Sequence, residues 1–386
     1  MRILFVLTYY RPHISGLTIY VERLARAMAR RGHEVTVLTS HYRRDLPYTE
    51  MMDGMRVVRV PVLFRFGKVS VMPTFALYAW RLMRQHDVVS AHLPQAEGLM
   101  LPFMGRYLAR KPMVLTYHCD LELPPGAFNR VIDRIVYAAN YVAGLFASSI
   151  VAYTRDYAVH SAFLSRFMDK IEVIYPPIDM PPPDPAACAA FRRQYGAEGQ
   201  RVVGFAGRFA EDKGVNYLLN AVPLVAERIP EVKFLLAGEY ESVIGEKVYE
   251  RLRPFIEQHR ERVVLLGLLP NDQMGNFFGI CEVLTVPSIN RTESFGLVQI
   301  EAMLSGCPVV ASNLPGVREP VRITGMGEIV PIRDSGALAE AIVKVIQNRE
   351  AYVKPRGFIE ERFSIERTLQ EYEGLFQRLL GEVRPD

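Results

Sequence analysis

The stretch Leu284-Thr-Val-Pro-Ser-Ile-Asn-Arg-Thr-Glu-Ser-Phe-Gly-Leu-Val-Gln-Ile-Glu301 predicts a buried strand, a turn-like loop and the start of a helix. The apolar spacing after Gly296 places Glu293 ahead of the first helical turn and Glu301 inside the second. A helix start exposes backbone N–H groups at the positive end of the helix dipole. Such a strand–loop–helix junction is where an α/β sheet binds ligands, and it suits a phosphate.

A second junction, Gly204-Phe-Ala-Gly-Arg-Phe-Ala-Glu-Asp-Lys-Gly214, carries two cations in its loop. Arg208 and Lys213 follow the end of a predicted strand, where they can neutralise a diphosphate, the arginine through paired hydrogen bonds. The spacing of the glycines differs from the G-x-G-x-x-G of nicotinamide-binding sites, and the chain has no Walker lysine motif. The alternatives are surface charges at a turn and, for the two glutamates, a solvated helix.

Strands and helices alternate around these junctions in two arrays. Seven predicted strands lie between residues 2 and 175, helix 18–31 is the clearest of the first array, and a second array begins at residue 201. The proline-rich segment 175–185 between them predicts a stiff linker. Alternation of this kind predicts parallel, doubly wound sheets, and 386 residues suit two domains. We expect the domains to form a cleft at the carboxyl ends of their strands.

Composition excludes several classes of protein. Hydrophobic residues make up 49 % of the chain and charged residues 23 %, which is typical of an ordinary globular protein. The apolar run at the N-terminus is too short for a secretory signal, and no apolar stretch is long enough to span a membrane, so we expect a cytoplasmic protein. The four cysteines show no metal-ligand spacing, and we expect buried free thiols.

Charge is unevenly distributed along the chain. Residues 1–180 contain 22 Lys and Arg against 14 Asp and Glu, a balance of 22 − 14 = +8, whereas residues 181–386 have 24 − 28 = −4. The basic first half indicates an anionic partner such as a lipid headgroup surface or a phosphorylated acceptor. It carries no signature of a nucleic-acid-binding domain. The segments 65–68 and 74–85 combine cations with apolar residues, which favours a membrane-surface patch and ordinary helix packing about equally.

The two junctions together resemble a known family. The glutamates match the Glu-x7-Glu motif of retaining glycosyltransferases of family 4, which include phosphatidylinositol mannosyltransferase-like and related cell-envelope enzymes. The second junction is similar to the Gly-Arg-x4-Lys-Gly element of that family. The resemblance implies the α/β GT-B fold, with two Rossmann-like domains facing each other across a deep cleft. Residues 1–180 would bind the acceptor and residues 181–363 the nucleotide sugar, with the C-terminal helix, within 364–386, returning to the first domain.

The resemblance also assigns roles to single residues. Glu293 would meet the donor sugar and Glu301 the ribose, while Arg208 and Lys213 would hold the phosphates. His118 lies at the end of a predicted strand, where the family often carries a histidine near the transferred sugar. The expected catalytic residues are His118, Glu293, Arg208 and Lys213; the expected donor-binding residues are Gly16, Arg208, Lys213, Leu268, Glu293, Ser294, Phe295, Gly296, Leu297 and Glu301; the expected acceptor-side residues are Tyr9, Tyr10, His13 and Asp120. The family usually has a second glycine where this chain has Ser15.

The implied function is transfer of a hexose, with retention, from a donor of the GDP-mannose or UDP-glucose type to a lipid-linked or glycan hydroxyl in cell-envelope glycolipid or polysaccharide synthesis. The donor is a substrate, and no bound cofactor is expected. No Asp-x-Asp motif occurs. Arg208, Lys213 and the helix start would therefore neutralise the charge of the diphosphate in place of a metal ion. The alternatives are a GT-B-fold nucleotide-sugar epimerase and a non-catalytic nucleotide-sugar-binding protein. We expect peripheral membrane contact through the basic first domain, at the inner face of the cell membrane.

Overall fold

The computed structural model of this chain describes residues 1–66, 69–95, 98, 100–122, 126–241, 243 and 246–382. The chain forms two compact units, one made of Met1–Pro177 and Ile365–Asp386 and the other of Ile178–Ser364. Gly67 and Lys68 of the candidate membrane patch lie outside the described residues, as does the end of the expected C-terminal helix, 383–386. Among the described residues, no helix combines the length and the apolar character that a membrane span requires.

The first unit alternates strands and helices from its first residues. Its elements are β1 Arg2–Val6, α1 Gly16–Arg30, β2 Glu34–His41, β3 Thr49–Met52, β4 Met55–Pro61, β5 Phe64–Phe66, β6 Val69–Val71, α2 Phe75–Gln85, β7 Val88–Leu93, α3 Leu101–Phe103, a π-helical turn Met104–Ala109, β8 Met113–Tyr117, α4 Ala127–Phe146, β9 Ser149–Ala152, α5 Arg155–His160, a 3₁₀ turn Leu164–Arg166 and β10 Ile171–Val173. The sheet has the order β10-β9-β8-β7-β1-β2-β4-β3, and β5 and β6 form a separate hairpin.

The second unit repeats the arrangement. Its elements are α6 Pro185–Gln194, β11 Arg201–Ala206, a 3₁₀ turn Glu211–Lys213, α7 Val215–Arg228, β12 Val232–Ala237, α8 Val248–Gln258, β13 Val263–Gly267, α9 Asn271–Ile280, β14 Val283–Val286, α10 Leu297–Leu304, β15 Val309–Ser312, α11 Glu319–Thr324, β16 Gly327–Val330, α12 Ser335–Gln347, α13 Arg349–Tyr352 and α14 Arg356–Phe363; the last helix, α15 Ile365–Glu382, belongs to the first unit. The six strands run in the order β13-β12-β11-β14-β15-β16.

Both sheets are doubly wound. In the second unit β11 pairs in parallel with β12 on one side and β14 on the other, so the strand order reverses between β11 and β14. In the first unit β1 likewise lies between β2 and β7, all parallel. Ligands bind at such reversal points, beyond the carboxyl ends of the strands. The two predicted junctions of the second unit follow β11 and β14, the two strands that flank its reversal point.

Burial explains why the strands could be predicted from their composition. Every residue of β7 is buried, as are Ile3 to Val6 of β1, because helices cover both faces of a parallel sheet. The helix α2 buries Phe75, Ala79, Leu82 and Met83 against the core of the first unit, so packing accounts for these four apolar residues. Leu77 is 44 % exposed, and the membrane-surface patch stays a prediction.

The predicted α/β fold of two Rossmann-like units is confirmed, and so is the return of the C-terminal helix. The hydroxyl of Tyr372 in α15 lies 2.6 Å from that of Tyr20 and 3.0 Å from that of Thr116, inside the first unit. The strands β3, β5, β6 and β16 were not predicted. Charged residues interrupt three of them, Glu50 in β3, Arg65 in β5 and Glu328 in β16, so they lack the buried apolar run of β14, which is just as short.

The four cysteines have free thiols, as expected. Cys281 and Cys307 are buried, but Cys119 and Cys188 are only partly buried, so the expectation of burial is wrong for these two.

Candidate functional site

Two glycine contacts shape the loop that follows β11. Gly238 has a φ of +138°, and a Cβ there would lie 2.0 Å from the carbonyl oxygen of Gly207. Gly214 has a φ of +63°, and a Cβ there would lie 2.1 Å from the carbonyl oxygen of Pro287. Backbone atoms therefore exclude a side chain at both positions. The contacts hold the loop 207–214 against the ends of the neighbouring strands β12 and β14.

The close contact of Gly214 with Pro287 places Lys213 next to Glu293, and the two side chains form an ion pair. The ammonium nitrogen Nζ lies 2.6 Å from Oε2 of the glutamate, and Oε1 accepts a hydrogen bond of 2.9 Å from the backbone N–H of Gly296. Burial lowers the pKa of Lys213, but the attraction of Glu293 and Asp212 outweighs burial, so the pKa is raised overall. Lys213 is therefore a fixed positive charge at neutral pH, already assembled with the glutamate.

The N-cap residue of α10 is Gly296, which has no side chain to cap the helix itself. Gly296 precedes the helix with a φ of +75°, and a Cβ there would lie 2.7 Å from the amide nitrogen of Gln299. The buried amide of Gln299 donates to the carbonyl oxygens of Phe295 and Val317, at 2.7 and 2.8 Å. These bonds fix the peptide before the helix, and the carboxylate of Glu293 lies at the positive end of the helix dipole.

The remaining predicted residues of the second unit lie around this start. Arg208 is at the end of β11 with 41 % of its side chain exposed, 3.9 Å from Asp212. Ser294 and Phe295 are buried in the loop, Leu297 is the first residue of α10, and Glu301 is largely buried in its second turn. Leu268 follows β13 and is exposed, farther along the same edge of the sheet. The structure thus brings Arg208, Lys213, Glu293 and Gly296 into one network.

In the first unit, the loop between β1 and α1 provides a side-chain cap for the helix that follows it. The Ser15 hydroxyl accepts a hydrogen bond of 3.2 Å from the N–H of Thr18 and caps α1. Gly16 opens the helix, and a Cβ there would meet nothing within 4 Å. The fold therefore does not require glycine at this position. The remaining reason to expect a glycine there is close approach of a ligand to the backbone.

The acceptor-side residues differ in exposure. His13 is exposed, and its ring lies 5.1 Å from that of Tyr9, whose hydroxyl accepts a hydrogen bond from Ser70. Tyr10 is completely buried, and burial raises its pKa. A residue with no exposed surface does not fit direct contact with an acceptor, so the geometry supports Tyr9 and His13 rather than Tyr10.

His118 lies in a buried aromatic cluster at the carboxyl ends of β7 and β8. Its Nε2 is 2.9 Å from Nδ1 of His92, and its Nδ1 contacts the hydroxyl of Tyr153. Burial lowers the pKa of His92 to about 3 and, together with His92, holds the pKa of His118 well below its usual value. Both imidazoles are neutral at physiological pH, and both ring nitrogens of His118 have partners within the protein.

Asp120 is held by a different set of partners. Its carboxylate accepts hydrogen bonds from the Tyr117 hydroxyl at 2.9 Å and from the Ser161 hydroxyl at 2.6 Å. These partners differ from those of the imidazole nitrogens of His118, which are His92 and Tyr153. The acceptor-side role of Asp120 stays a prediction.

Four residues of these sites were missed by the sequence analysis: Asp212, Gln299, His92 and Tyr153. Asp212 stands inside a motif already singled out, and its charge between two cations was a usable signal. The other three become visible only when the strand order is known. Within the described ranges, no cluster of His, Cys, Asp or Glu side chains could hold a metal ion; metal-independence stays a prediction.

Two family models match the chain. The model "Glycosyltransferase Family 4" matches residues 14–180, and the model "Glycosyl transferases group 1" matches residues 200–348. The matched ranges contain every predicted donor-binding residue, from Gly16 to Glu301.

Similar proteins are found in bacteria and archaea. The chain is 28 % identical over 372 residues to the phosphatidyl-myo-inositol mannosyltransferase of Mycobacterium tuberculosis, covering 92 % of this chain and 90 % of that protein. It is 26 % identical over 373 residues to an uncharacterized glycosyltransferase of Methanocaldococcus jannaschii, covering 90 % of each. The structure of Anabaena HepE in complex with UDP and glucose superimposes with a TM-score of 0.79 at 20 % identity, covering 98 % of this chain and 100 % of that one.

Proposed function

This chain belongs to glycosyltransferase family 4 and has the GT-B fold, and from that premise we propose that it transfers a hexose, with retention of configuration, from a nucleoside-diphosphate sugar to a lipid-linked or glycan hydroxyl. The observation that carries the proposal is the network of Lys213, Glu293 and the N–H of Gly296 at the start of α10. It combines a partly buried cation for phosphate with a carboxylate that can accept hydrogen bonds from sugar hydroxyls.

The chemistry requires charge stabilisation at the leaving group. Negative charge grows on the diphosphate as the glycosyl bond breaks, and donors fixed in advance lower that barrier. Arg208, Lys213 and the start of α10 would bind the diphosphate, Glu293 the sugar and Glu301 the ribose. The resemblance assigns His118 to the transferred sugar and Tyr9 and His13 to the acceptor.

The names of two similar proteins guide the choice of donor and acceptor class. One relative is named a phosphatidyl-myo-inositol mannosyltransferase, and one structural neighbour holds UDP and glucose. We therefore propose GDP-mannose or UDP-glucose as donor and a lipid-linked or glycan acceptor in cell-envelope synthesis.

A nucleotide screen tests the donor site. Isothermal titration with UDP, GDP and ADP should find one that binds, and Arg208→Ala combined with Lys213→Ala should abolish its binding. Arg253→Ala is the matched control, because Arg253 lies on α8, is exposed and pairs with Glu257. Unchanged binding in the double variant would contradict the phosphate role.

A second experiment separates transfer from the alternatives. The sugar nucleotide that binds is incubated with and without a lipid extract, and the products are followed by NMR. A new glycolipid with the anomeric configuration of the donor supports retaining transfer. A new sugar nucleotide formed without acceptor indicates an epimerase, and tight binding without turnover indicates a non-catalytic protein.

We also propose a membrane-contact surface on the first unit, defined by α4 and the π-helical turn before β8. Its exposed side chains are apolar or cationic: Phe103, Arg106, Tyr107, Arg130, Val131, Arg134, Ile135, Tyr137, Tyr141 and Leu145. The rings of Phe103 and Tyr107 lie 5.5 and 5.7 Å from that of Phe146 in α4, which makes the surface continuous. Apolar side chains with a cationic surround match an anionic bilayer surface, at the inner face of the membrane.

Vesicle sedimentation tests this surface. The protein should bind vesicles of phosphatidylcholine with phosphatidylglycerol but not phosphatidylcholine alone. Arg134→Glu with Ile135→Glu should release it, whereas Arg253→Glu in the second unit should not. Equal binding of both variants would contradict the proposed surface, and dimers that dissociate in the α4 variant would assign it to a second copy instead.

A further inference from the structure

Asp212 lies between Arg208 and Lys213, the two cations of the 207–214 loop, and takes no part in the transfer reaction proposed for this site. Its Oδ1 is 3.9 Å from Nη2 of Arg208, and its Oδ2 is 3.5 Å from Nζ of Lys213. The residue is only 8 % exposed. Its carbonyl oxygen accepts a hydrogen bond of 2.9 Å from the N–H of Ile289, so the turn is tied to the loop that carries Glu293.

The carboxylate of Asp212 accepts few hydrogen bonds for a buried charge. Oδ2 is buried and has no hydrogen-bond partner, although buried carboxylates normally accept several hydrogen bonds. The 3.5 and 3.9 Å separations are ion-pair contacts, longer than hydrogen bonds. The carboxylate is therefore held near the cations mainly by electrostatic attraction, which an incoming anion can replace.

The formal charges of this network cancel. Arg208 and Lys213 contribute two positive charges, and Asp212 and Glu293 two negative ones. A nucleoside diphosphate would bring negative charge to the same two cations. It must therefore compete with a carboxylate that is already there.

We propose that Asp212 is an internal counter-ion that competes with the diphosphate for Arg208 and Lys213, limiting nucleotide affinity and speeding release of the nucleoside diphosphate after transfer. The proposal rests on the proposed function, because it takes the two cations as the phosphate ligands. Glu293 cannot serve in the same way, since its second oxygen is bound by the N–H of Gly296.

The adjacent residue Glu211 provides a matched control. It belongs to the same 3₁₀ turn, but its side chain is 53 % exposed and pairs with Arg251 at 3.0 Å. Glu211→Gln removes one negative charge one residue away from Asp212 without removing a neighbour of the phosphate-binding cations. Any general effect of net charge on nucleotide binding should appear in both variants.

Isothermal titration with UDP and GDP tests the proposal. Asp212→Asn should bind the accepted nucleotide about tenfold more tightly than the wild type in low salt, because a like charge beside the phosphate has been removed. The advantage should shrink in high salt, and Glu211→Gln should stay near the wild type. Stopped-flow displacement of a fluorescent nucleotide should show slower dissociation from Asp212→Asn.

Unchanged or weaker binding by a folded Asp212→Asn would overturn the proposal, because it would show that Asp212 only positions the cations. Asp212→Ser is the second variant, should the asparagine protein not fold. A wild type that binds no nucleoside diphosphate would refute the proposed function, and this inference with it. A wild type that loses binding on Arg208→Ala but gains none on Asp212→Asn would refute this inference alone.

Discussion

The helices α1 and α10 each follow a strand that flanks the reversal point of its sheet, yet their starts differ. The Ser15 hydroxyl caps α1 within the chain, and its glycine has ordinary geometry. At α10 the N-cap is a glycine with a φ of +75°, its N–H donates to the carboxylate of Glu293, and the same carboxylate pairs with Lys213. A neutral hydroxyl thus caps the helix in the first unit, whereas an ion pair stands at the helix start in the second.

The difference shows that a glycine at a helix start does not by itself indicate a phosphate site. What distinguishes α10 is the combination of Glu293 at its start with Lys213, a cation from another loop, which the contact of Gly214 with Pro287 brings close. Four changes would break or sharpen this comparison.

The largest effect is expected for Glu293→Ala. The change leaves the Lys213 ammonium without its 2.6 Å partner and removes the acceptor proposed for sugar hydroxyls. Turnover of the accepted donor should fall by at least about 10²–10³-fold. The measurement is nucleoside-diphosphate release in the presence of lipid extract, with the exposed Glu257→Ala on α8 as control. Near-normal turnover would remove Glu293 from the site.

Acid should destabilise the first unit through its buried histidines. The pKa of His92 is depressed to about 3 in the folded protein, so below about pH 6.5 the unfolded chain binds a proton that the folded chain does not. For this group the free energy of unfolding should fall by about 1.6 kcal/mol in total as pH decreases from 6.5 to 5.

Hydrogen exchange of the β7 and β8 amides measures this acid effect in the full chain. In His92→Asn the pH dependence of protection should be weaker by that amount, because asparagine does not titrate. An unchanged slope would mean that His92 is not held neutral by its burial.

The two helix-start glycines should respond differently to alanine. Gly296→Ala places a Cβ 2.7 Å from the Gln299 amide at a left-handed φ and should cost about 1–2 kcal/mol of stability. Gly16→Ala meets nothing within 4 Å and should cost little. Urea unfolding measures both. Loss of nucleotide affinity without loss of stability in Gly16→Ala would show that the open space belongs to a ligand.

The smallest effect is expected for Ser15. Ser15→Ala removes the cap on α1 and should lower stability by about 1 kcal/mol, whereas Ser15→Gly should cost only a few tenths. Thermal unfolding of the two variants is the measurement. Equal stability of wild type and Ser15→Ala would mean that water caps α1 as well as the serine does.

Much of the fold was predictable from local pattern. Buried strands such as β7 and β11 can be recognised by their apolar composition, because both of their faces are buried. The helix α1 can be recognised by the spacing of its apolar residues, because only one stripe of the helix is buried. The charged positions Arg208, Lys213 and Glu293 were predictable because the motifs place them at strand ends. Edge strands such as β3 and β16 were not, since they are partly exposed and a charged residue interrupts each of them.

The sequence by itself determined that two arrays of alternating strands and helices are present, and that each array ends its strands in polar loops. Only the tertiary structure decided which strand ends become neighbours. Apolar periodicity requires that a strand be buried but does not name the strand beside it. The contact of His92 with His118, of Lys213 with Glu293 and of Tyr20 with Tyr372 therefore depends on strand order and helix return, which local chemistry does not encode.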